Sequence, residues 1–134
     1  MPTPEESLKV AAALTRAFGA RDADGFNTLY ADTATIWHAA TKQTQTQQEN
    51  VGLLRGVFAL MRDARYEEVV QLPTPEGFVQ HHVIRGTFTD GQPVPELYAC
   101  LVVTVRNGQI TALKEWFDPA QFGEVWKRLG VSLG

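Results

Sequence analysis

The segment from Leu97 to Phe122 constrains the fold of this chain more than any other stretch. Its sequence is typical of two strands joined by a tight turn and followed directly by a helix. The turn is Asn107-Gly108, a dipeptide that accepts the positive φ angles of a two-residue hairpin loop. β-Branched and aromatic residues fill the runs on both sides, and Asp118-Pro119 is typical of a helix N-cap and first helical residue. The segment therefore predicts a β-hairpin that passes straight into a helix.

A carboxylate, Glu115, lies inside the second strand of this hairpin. Because successive side chains of a strand point to opposite faces, Leu113, Glu115 and Phe117 are predicted to share one face. A charge among apolar neighbours needs a partner, contact with water or a chemical role. Glu115 is therefore a candidate acid or base for proton transfer. The alternative is a structural carboxylate paired with an Arg or His of the same sheet.

The rest of the chain divides into helices first and strands afterwards. Thr3 and Thr46 each precede a glutamate by three residues, the pattern of a capping box, so a helix is predicted to begin after each of them. A short helix is predicted after Asp22. The other predicted elements are a strand over Thr33–His38, a loop over 39–45, strands at about 66–72, 78–89, 96–106 and 109–117, and a helix over about 119–128.

Composition excludes several classes of protein. The chain has 134 residues with a formal net charge of −3, which predicts one domain over residues 1–134 and gives no reason to expect a nucleic-acid partner. No apolar run is long enough to cross a membrane, and the acidic N-terminus lacks the pattern of a secretory leader. Cys100 is the one cysteine, which indicates a reducing cytoplasm. The adjacent His81 and His82 lack metal-ligand spacing, so no metal and no cofactor are predicted.

Grouped strands after grouped helices predict an α+β domain rather than a parallel βαβ sheet. A curved antiparallel sheet wrapped around the N-terminal helices would form a cone with a cavity inside it. Such cavities bind small apolar ligands.

Three segments carry a resemblance to a known family: 32–38, 78–87 and 108–118. Together they resemble the nuclear transport factor 2-like superfamily, which includes SnoaL-like polyketide cyclases and ketosteroid isomerases. The resemblance implies a cone-shaped, cystatin-like α+β barrel that binds a small hydrophobic molecule and forms a homodimer through the outer face of its sheet. It specifies the fold better than the reaction, because such a fold hosts many chemistries.

The resemblance also implies a set of site residues. Glu115 occupies the place of a carboxylate that acts as acid or base in these relatives, and His82, on the inward face of its strand, is the expected partner of Glu115. Trp37 is expected to face the pocket, ahead of its neighbour His38. The residues expected to bind the ligand are Tyr30, Trp37, His38, Ile84, Leu97, Ala99, Leu101, Leu113, Phe117 and Phe122.

Two functions remain open at the level of sequence. The first is an isomerase, cyclase or dehydratase that moves a proton on a hydrophobic carbonyl-containing ligand. The second is a non-catalytic domain for ligand binding or dimeric assembly. The second gains weight because the full catalytic sets of the epoxide hydrolase and ketosteroid isomerase relatives are incomplete in this chain.

Overall fold

The computed structural model describes residues 1–130 of the chain. Four helices and six strands follow one another in an α+β order. They are α1 (Pro4–Gly19), α2 (Ala23–Leu29), β1 (Tyr30–His38), β2 (Gln43–Thr46), α3 (Gln47–Leu60), β3 (Arg65–Thr74), β4 (Gly77–Arg85), β5 (Leu97–Arg106), β6 (Gln109–Phe117) and α4 (Pro119–Leu129).

The six strands form one sheet in the order β2-β1-β6-β5-β4-β3. Strands β3 to β6 pair antiparallel with their sequence neighbours, and β2 pairs antiparallel with β1. The pair β1 and β6 is parallel. The sheet is therefore mixed and curved, with open edges at β2 and β3, and the predicted α+β cone is confirmed.

The predicted capping residues begin their helices as expected. Thr3 and Thr46 each accept a hydrogen bond from the backbone of a glutamate three residues on, and each glutamate side chain bonds back to the cap. Asp22 caps α2, and Asp118 caps α4. These caps satisfy backbone N–H groups that have no partner within a helix.

The helices pack on one face of the sheet, and the core lies between them. Leu14 of α1, Phe26 of α2 and Phe58 of α3 are buried against Ile36, Phe78 and other inward residues of the strands. The opposite face of the sheet has no helix on it among residues 1–130, and it carries the most exposed large apolar side chains of the strands. These are Val70, Leu72, Tyr98, Val102 and Trp116.

Three predicted segments differ from the structure. The first, a strand expected over Thr33–His38, already begins at Tyr30. The segment 39–45 was expected to be a loop, but Gln43–Thr46 forms the edge strand β2. Its four side chains are polar and mostly exposed, so the strand lacks the apolar alternation of a half-buried strand by which it could have been predicted. The strand expected over 78–89 ends at Arg85. Gly86 follows, and Phe88 is held instead by an isolated bridge to Met61.

In the part of the chain that the structure describes, no helix is both long and apolar enough to span a membrane.

Two glycines give a matched test of this packing. A Cβ added at Gly77 would overlap the backbone carbonyl of Val103 in the neighbouring strand, whereas nothing lies within 4 Å of a Cβ added at Gly52 in α3. We expect Gly77→Ala to lower the free energy of unfolding by about 1–3 kcal/mol because the β4–β5 pair must separate. Gly52→Ala should raise it by about 0.5–1 kcal/mol. Urea denaturation of the two variants checks both signs, and a stable Gly77→Ala would contradict this register.

Candidate functional site

An internal cavity lies between the sheet and the helices. The space available to the centres of water molecules inside it is about 80 Å³, enough for several waters or one small organic molecule. The wall is mostly aliphatic and aromatic. Its polar members are Tyr30, His38, Asn50, Tyr66 and Glu115.

His38 and Glu115 form an ion pair in the cavity wall. His38 ends β1, Glu115 lies opposite it on the adjacent strand β6, and 2.9 Å separates Nδ1 of the imidazole from Oε1 of the carboxylate. The side chains are only 7% and 17% exposed. Water therefore screens this pair much less than it screens a surface pair.

A chain of side-chain hydrogen bonds extends from the other nitrogen of His38. Nε2 of His38 lies 3.0 Å from Oε1 of Gln45, and the same oxygen accepts a bond from Nδ2 of Asn50 at 2.9 Å. Asn50 in turn accepts a bond from the hydroxyl of Tyr30 at 2.8 Å. In this arrangement, Gln45 presents an oxygen to Nε2 while Glu115 presents an oxygen to Nδ1. An imidazolium, which donates from both nitrogens, satisfies both oxygens, although Nδ2 of Asn50 also lies 3.5 Å from Nε2.

The pKa of His38 follows the same contacts. Burial lowers the pKa, but the hydrogen bond and the negative charge of Glu115, with the hydrogen bond to Gln45, together outweigh burial and raise the pKa of His38 above its ordinary value. The cationic form is thus the one that the site stabilises. When His38 is protonated, the pair carries one positive and one negative charge and is neutral as a whole.

The second carboxylate oxygen of Glu115, Oε2, has no hydrogen-bond partner in the described part of the chain. Among residues 1–130 no side chain donates a hydrogen bond to Oε2, and Glu115 lines the cavity. One oxygen is thus held by His38 while the other remains available to a molecule in the cavity. No Lys or Arg of the described chain lines the cavity.

The expected pair of Glu115 with His82 does not form, and His38 takes that place. His82 lies on β4, opposite Ala99 of β5, which is itself opposite Phe117 of β6. Two strand spacings of about 4.8 Å and a shift of two residues therefore separate His82 from Glu115. Burial and the neighbouring His81 lower the pKa of His82 to about 4, so its imidazole is neutral.

The ligand-binding residues expected from the sequence divide into three groups. Tyr30, His38, Ile84, Leu97, Leu101, Leu113 and Phe122 all line the cavity. Ala99 and Phe117 are buried in the core beside the cavity but do not line it. Trp37 lies on the opposite face, against Trp116 at 5.4 Å between ring centroids. The expectation for Trp37 is corrected, because the buried alternation of β1 runs through Ala34, Ile36 and His38.

Sequence reasoning missed Gln45, Asn50 and Trp126. Gln45 lay in a segment expected to be a loop. Asn50 is fully inside the apolar stripe of α3, four residues before Leu54, and such a buried amide is a signal that could have found it. Trp126 lies on α4 and packs edge-on against His38, with 6.5 Å between ring centroids.

No three His, Cys, Asp or Glu side chains within residues 1–130 come together in a group that could hold a metal ion.

A family model now agrees with this architecture. The SnoaL-like domain matches residues 10–113, which is most of the chain. The chain belongs to the SnoaL-like family, within the nuclear transport factor 2-like superfamily. The matched range includes His38, Gln45 and Asn50 and stops just before Glu115.

Solved structures of low sequence identity share the fold. PrhC from Penicillium brasilianum NBRC 6234 has a TM-score of 0.82 and 11% identity, over 96% of this chain and 91% of that one. A protein with a ketosteroid isomerase-like fold from Catenulispora acidiphila DSM 44928, in complex with trimethylamine, has a TM-score of 0.74 and 16% identity, covering 98% and 97%. An NTF2-like protein from Burkholderia pseudomallei K96243 has a TM-score of 0.73 and 19% identity, covering 92% and 97%. No curated protein matches the sequence.

The protonation of His38 can be measured without a substrate. Glu115→Gln removes the charge that raises the pKa of His38 and leaves the burial that lowers it, so we expect this pKa to fall below about 6.5 in the variant. Ring-proton NMR titration of wild type and variant checks the direction. The resonance of His82 is the internal control, because its pKa of about 4 owes nothing to Glu115.

The same shift has a consequence for stability. A histidine whose pKa is raised by folding stabilises the fold below about pH 6.5, and this contribution is lost as pH rises through the folded-state pKa. In Glu115→Gln the contribution of His38 should reverse sign and weaken the fold as pH falls below about 6.5. Equal slopes of unfolding free energy against pH in both proteins would contradict the ion pair.

Proposed function

We propose that this SnoaL-like protein catalyses proton transfer on a small, uncharged, carbonyl-containing molecule held in the cavity. The observation that carries the proposal is that Glu115 lines the cavity with Oε1 held by His38 and with Oε2 unbonded among residues 1–130. Isomerisation, cyclisation and dehydration of a carbonyl compound can all begin with such a transfer. No metal or cofactor is part of the proposal.

The step requires one base and a dry site. Oε2 of Glu115 takes a proton from the carbon next to the carbonyl group, so the C–H bond breaks and its electron pair forms a C=C bond while the carbonyl π electrons move to oxygen. Return of the proton to another carbon completes an isomerisation. His38 does not contact the substrate in this scheme; it positions the carboxylate and balances its charge.

The apolar wall supports the choice of substrate. Most of the lining is aliphatic or aromatic, and the one acid and one imidazolium neutralise each other. A charged ligand would lose its hydration without gaining a counter-charge, which is costly in an apolar interior. An uncharged, largely apolar molecule suits this wall.

A ligand-binding domain without catalysis is the second candidate. The observation that favours it is the size of the cavity, since about 80 Å³ is small beside the usual 300–1,000 Å³ of a ligand pocket. In that case Glu115 would hold His38 and accept a hydrogen bond from a ligand without exchanging a proton. The cytoplasmic location expected from the sequence stays a prediction under either candidate.

Hydrogen exchange tests the catalytic proposal with simple ketones. Cyclopentanone and cyclohexanone in D₂O exchange their α-hydrogens when a base removes them, and NMR follows the loss of signal. We expect the wild-type protein to accelerate this exchange and Glu115→Gln to reduce the acceleration by about 10²–10⁴-fold, the usual contribution of a general base.

The matched control is Glu76→Gln, which removes an exposed carboxylate that is not part of the cavity lining. It should retain the full rate. Circular dichroism must show that Glu115→Gln remains folded, since removal of one partner of a buried pair can cost about 3–5 kcal/mol. Saturable ketone binding without any acceleration of exchange would refute the enzyme and favour the binding domain.

We also propose that the outer face of the sheet pairs two copies of the chain. Val102 and Tyr98 on β5 and Trp116 on β6 are each more than 40% exposed, and Val70 and Leu72 extend the same face on β3. A contiguous apolar surface of this kind is uncommon on a monomer and indicates an interaction site. A second copy fits it because a two-fold axis would set each apolar row against an identical one.

Light scattering at tens of micromolar tests the pairing. We expect a dimer for the wild type and a monomer for Val102→Glu, because the new charge would be buried at the centre of the face without a partner. Leu8→Glu is the matched control: it also replaces an exposed leucine-sized apolar residue, but on α1, away from the sheet. It should leave the dimer intact, and a monomeric wild type would contradict the proposal.

A further inference from the structure

Tyr66 is a polar member of the cavity wall that the His38–Glu115 network does not use. It lies on β3, opposite Ile84 of β4, and both residues line the cavity. Its hydroxyl makes no hydrogen bond to any residue in 1–130. The described residues leave this oxygen partly accessible to water. The other hydroxyl of the described lining, that of Tyr30, already donates to Asn50.

The ring of Tyr66 is fixed between two other rings. It stacks on Phe18 of α1 with 4.1 Å between centroids and on His82 of β4 with 3.7 Å, both at an interplanar angle of 16°. Two rings at such short distances must lie on opposite faces of the tyrosine. The ring therefore cannot swing, and the direction of its hydroxyl is set before any ligand arrives.

A second polar chain holds this stack in place. Nδ1 of His82 lies 3.0 Å from Nε2 of Gln80, and Oε1 of Gln80 accepts a hydrogen bond from Gln71 at 3.0 Å. Gln71 also reaches the hydroxyl of Thr15 on α1, at 3.4 Å. His82 is thus the support of Tyr66 rather than the partner of Glu115.

The hydroxyl of Tyr66 is a permanent donor in this interior. Burial, followed by the charges of Glu115 and Tyr30, raises the pKa of Tyr66 well above its ordinary value, so the phenol keeps its proton.

We propose that Tyr66 is the residue that binds the oxygen atom of the ligand. The ligand is then an uncharged molecule with one accepting oxygen, such as a ketone, oriented with that oxygen at Tyr66 and its adjacent C–H bond towards Glu115. The inference rests on the proposed use of this cavity, but it concerns binding and does not depend on the proton-transfer step. During enolisation the same hydroxyl would donate to the oxygen on which negative charge develops.

Two ligands of equal shape test the contact. Cyclopentanone and methylenecyclopentane differ in one position, where an oxygen replaces a CH₂ group, and NMR titration measures the affinity of each. In Tyr66→Phe we expect cyclopentanone to bind roughly 3- to 10-fold more weakly, the usual effect of one neutral hydrogen bond, and methylenecyclopentane to change by less than about 2-fold.

Two further variants make the result specific. Tyr98→Phe removes a tyrosine hydroxyl from the exposed outer face and should change neither affinity. Trp126→Phe removes the other unpartnered donor of the described lining, Nε1 of the indole, which is sealed from water. Thermal unfolding of Tyr66→Phe should show no loss of stability, because the hydroxyl has no partner in residues 1–130 and the stacked ring is kept.

Each other outcome overturns the inference. Equal losses of affinity for both ligands in Tyr66→Phe would mean that Tyr66 acts through shape. No loss of affinity for cyclopentanone in Tyr66→Phe would mean that the ketone oxygen lies elsewhere. If only Trp126→Phe weakens cyclopentanone binding, that oxygen lies at Trp126. Failure of both ligands to bind the wild type would remove the cavity site and the proposed function together. Binding that depends on Tyr66, without hydrogen exchange, would sustain this inference and refute the catalytic step alone.

Discussion

The buried contact between His38 and Glu115 is the constraint that the rest of the site depends on. The carboxylate and the imidazole lie 2.9 Å apart in a wall that is mostly apolar, where removal of one partner would leave the other charge buried and unpaired. The parallel pairing of β1 with β6 brings them together from positions 77 residues apart. The pairing of β1 with β6 therefore forms the His38–Glu115 contact as well as joining two parts of the sheet.

The second ring nitrogen of His38, Nε2, depends on side chains from two neighbouring elements. Gln45 on β2 and Asn50 on α3 supply the oxygen and the amide that complete the network, and Thr46 both ends β2 and caps α3. No loop intervenes between the strand and the helix. The two amides are thus positioned by regular elements, which hold side chains more precisely than loops do.

Much of the fold and part of the site could be predicted from the sequence. Capping boxes at Thr3 and Thr46 and the turn at Asn107-Gly108 act locally, so the sequence alone indicated where those elements begin. Alternation also placed Glu115 on the inward face. The partner of Glu115 depends on which strands are neighbours, and β1 joins β6 across most of the chain length, which no local pattern specifies. Strand β1 has apolar residues at both odd and even positions, so its sequence could not distinguish Trp37 from His38 as the inward residue.

The two buried histidines show how different surroundings shift the pKa of the same side chain in opposite directions. His38 has a carboxylate on one nitrogen and an amide oxygen on the other, and its pKa is raised despite burial. His82 has an amide on one nitrogen, a cation-forming neighbour in His81 and a tyrosine ring on its face, and its pKa falls to about 4. The first therefore balances the charge of Glu115, while the second is a neutral support for Tyr66. A cationic His82 would place a positive charge behind Tyr66, next to the cavity; because His82 is neutral, the surroundings remain suited to an uncharged ligand.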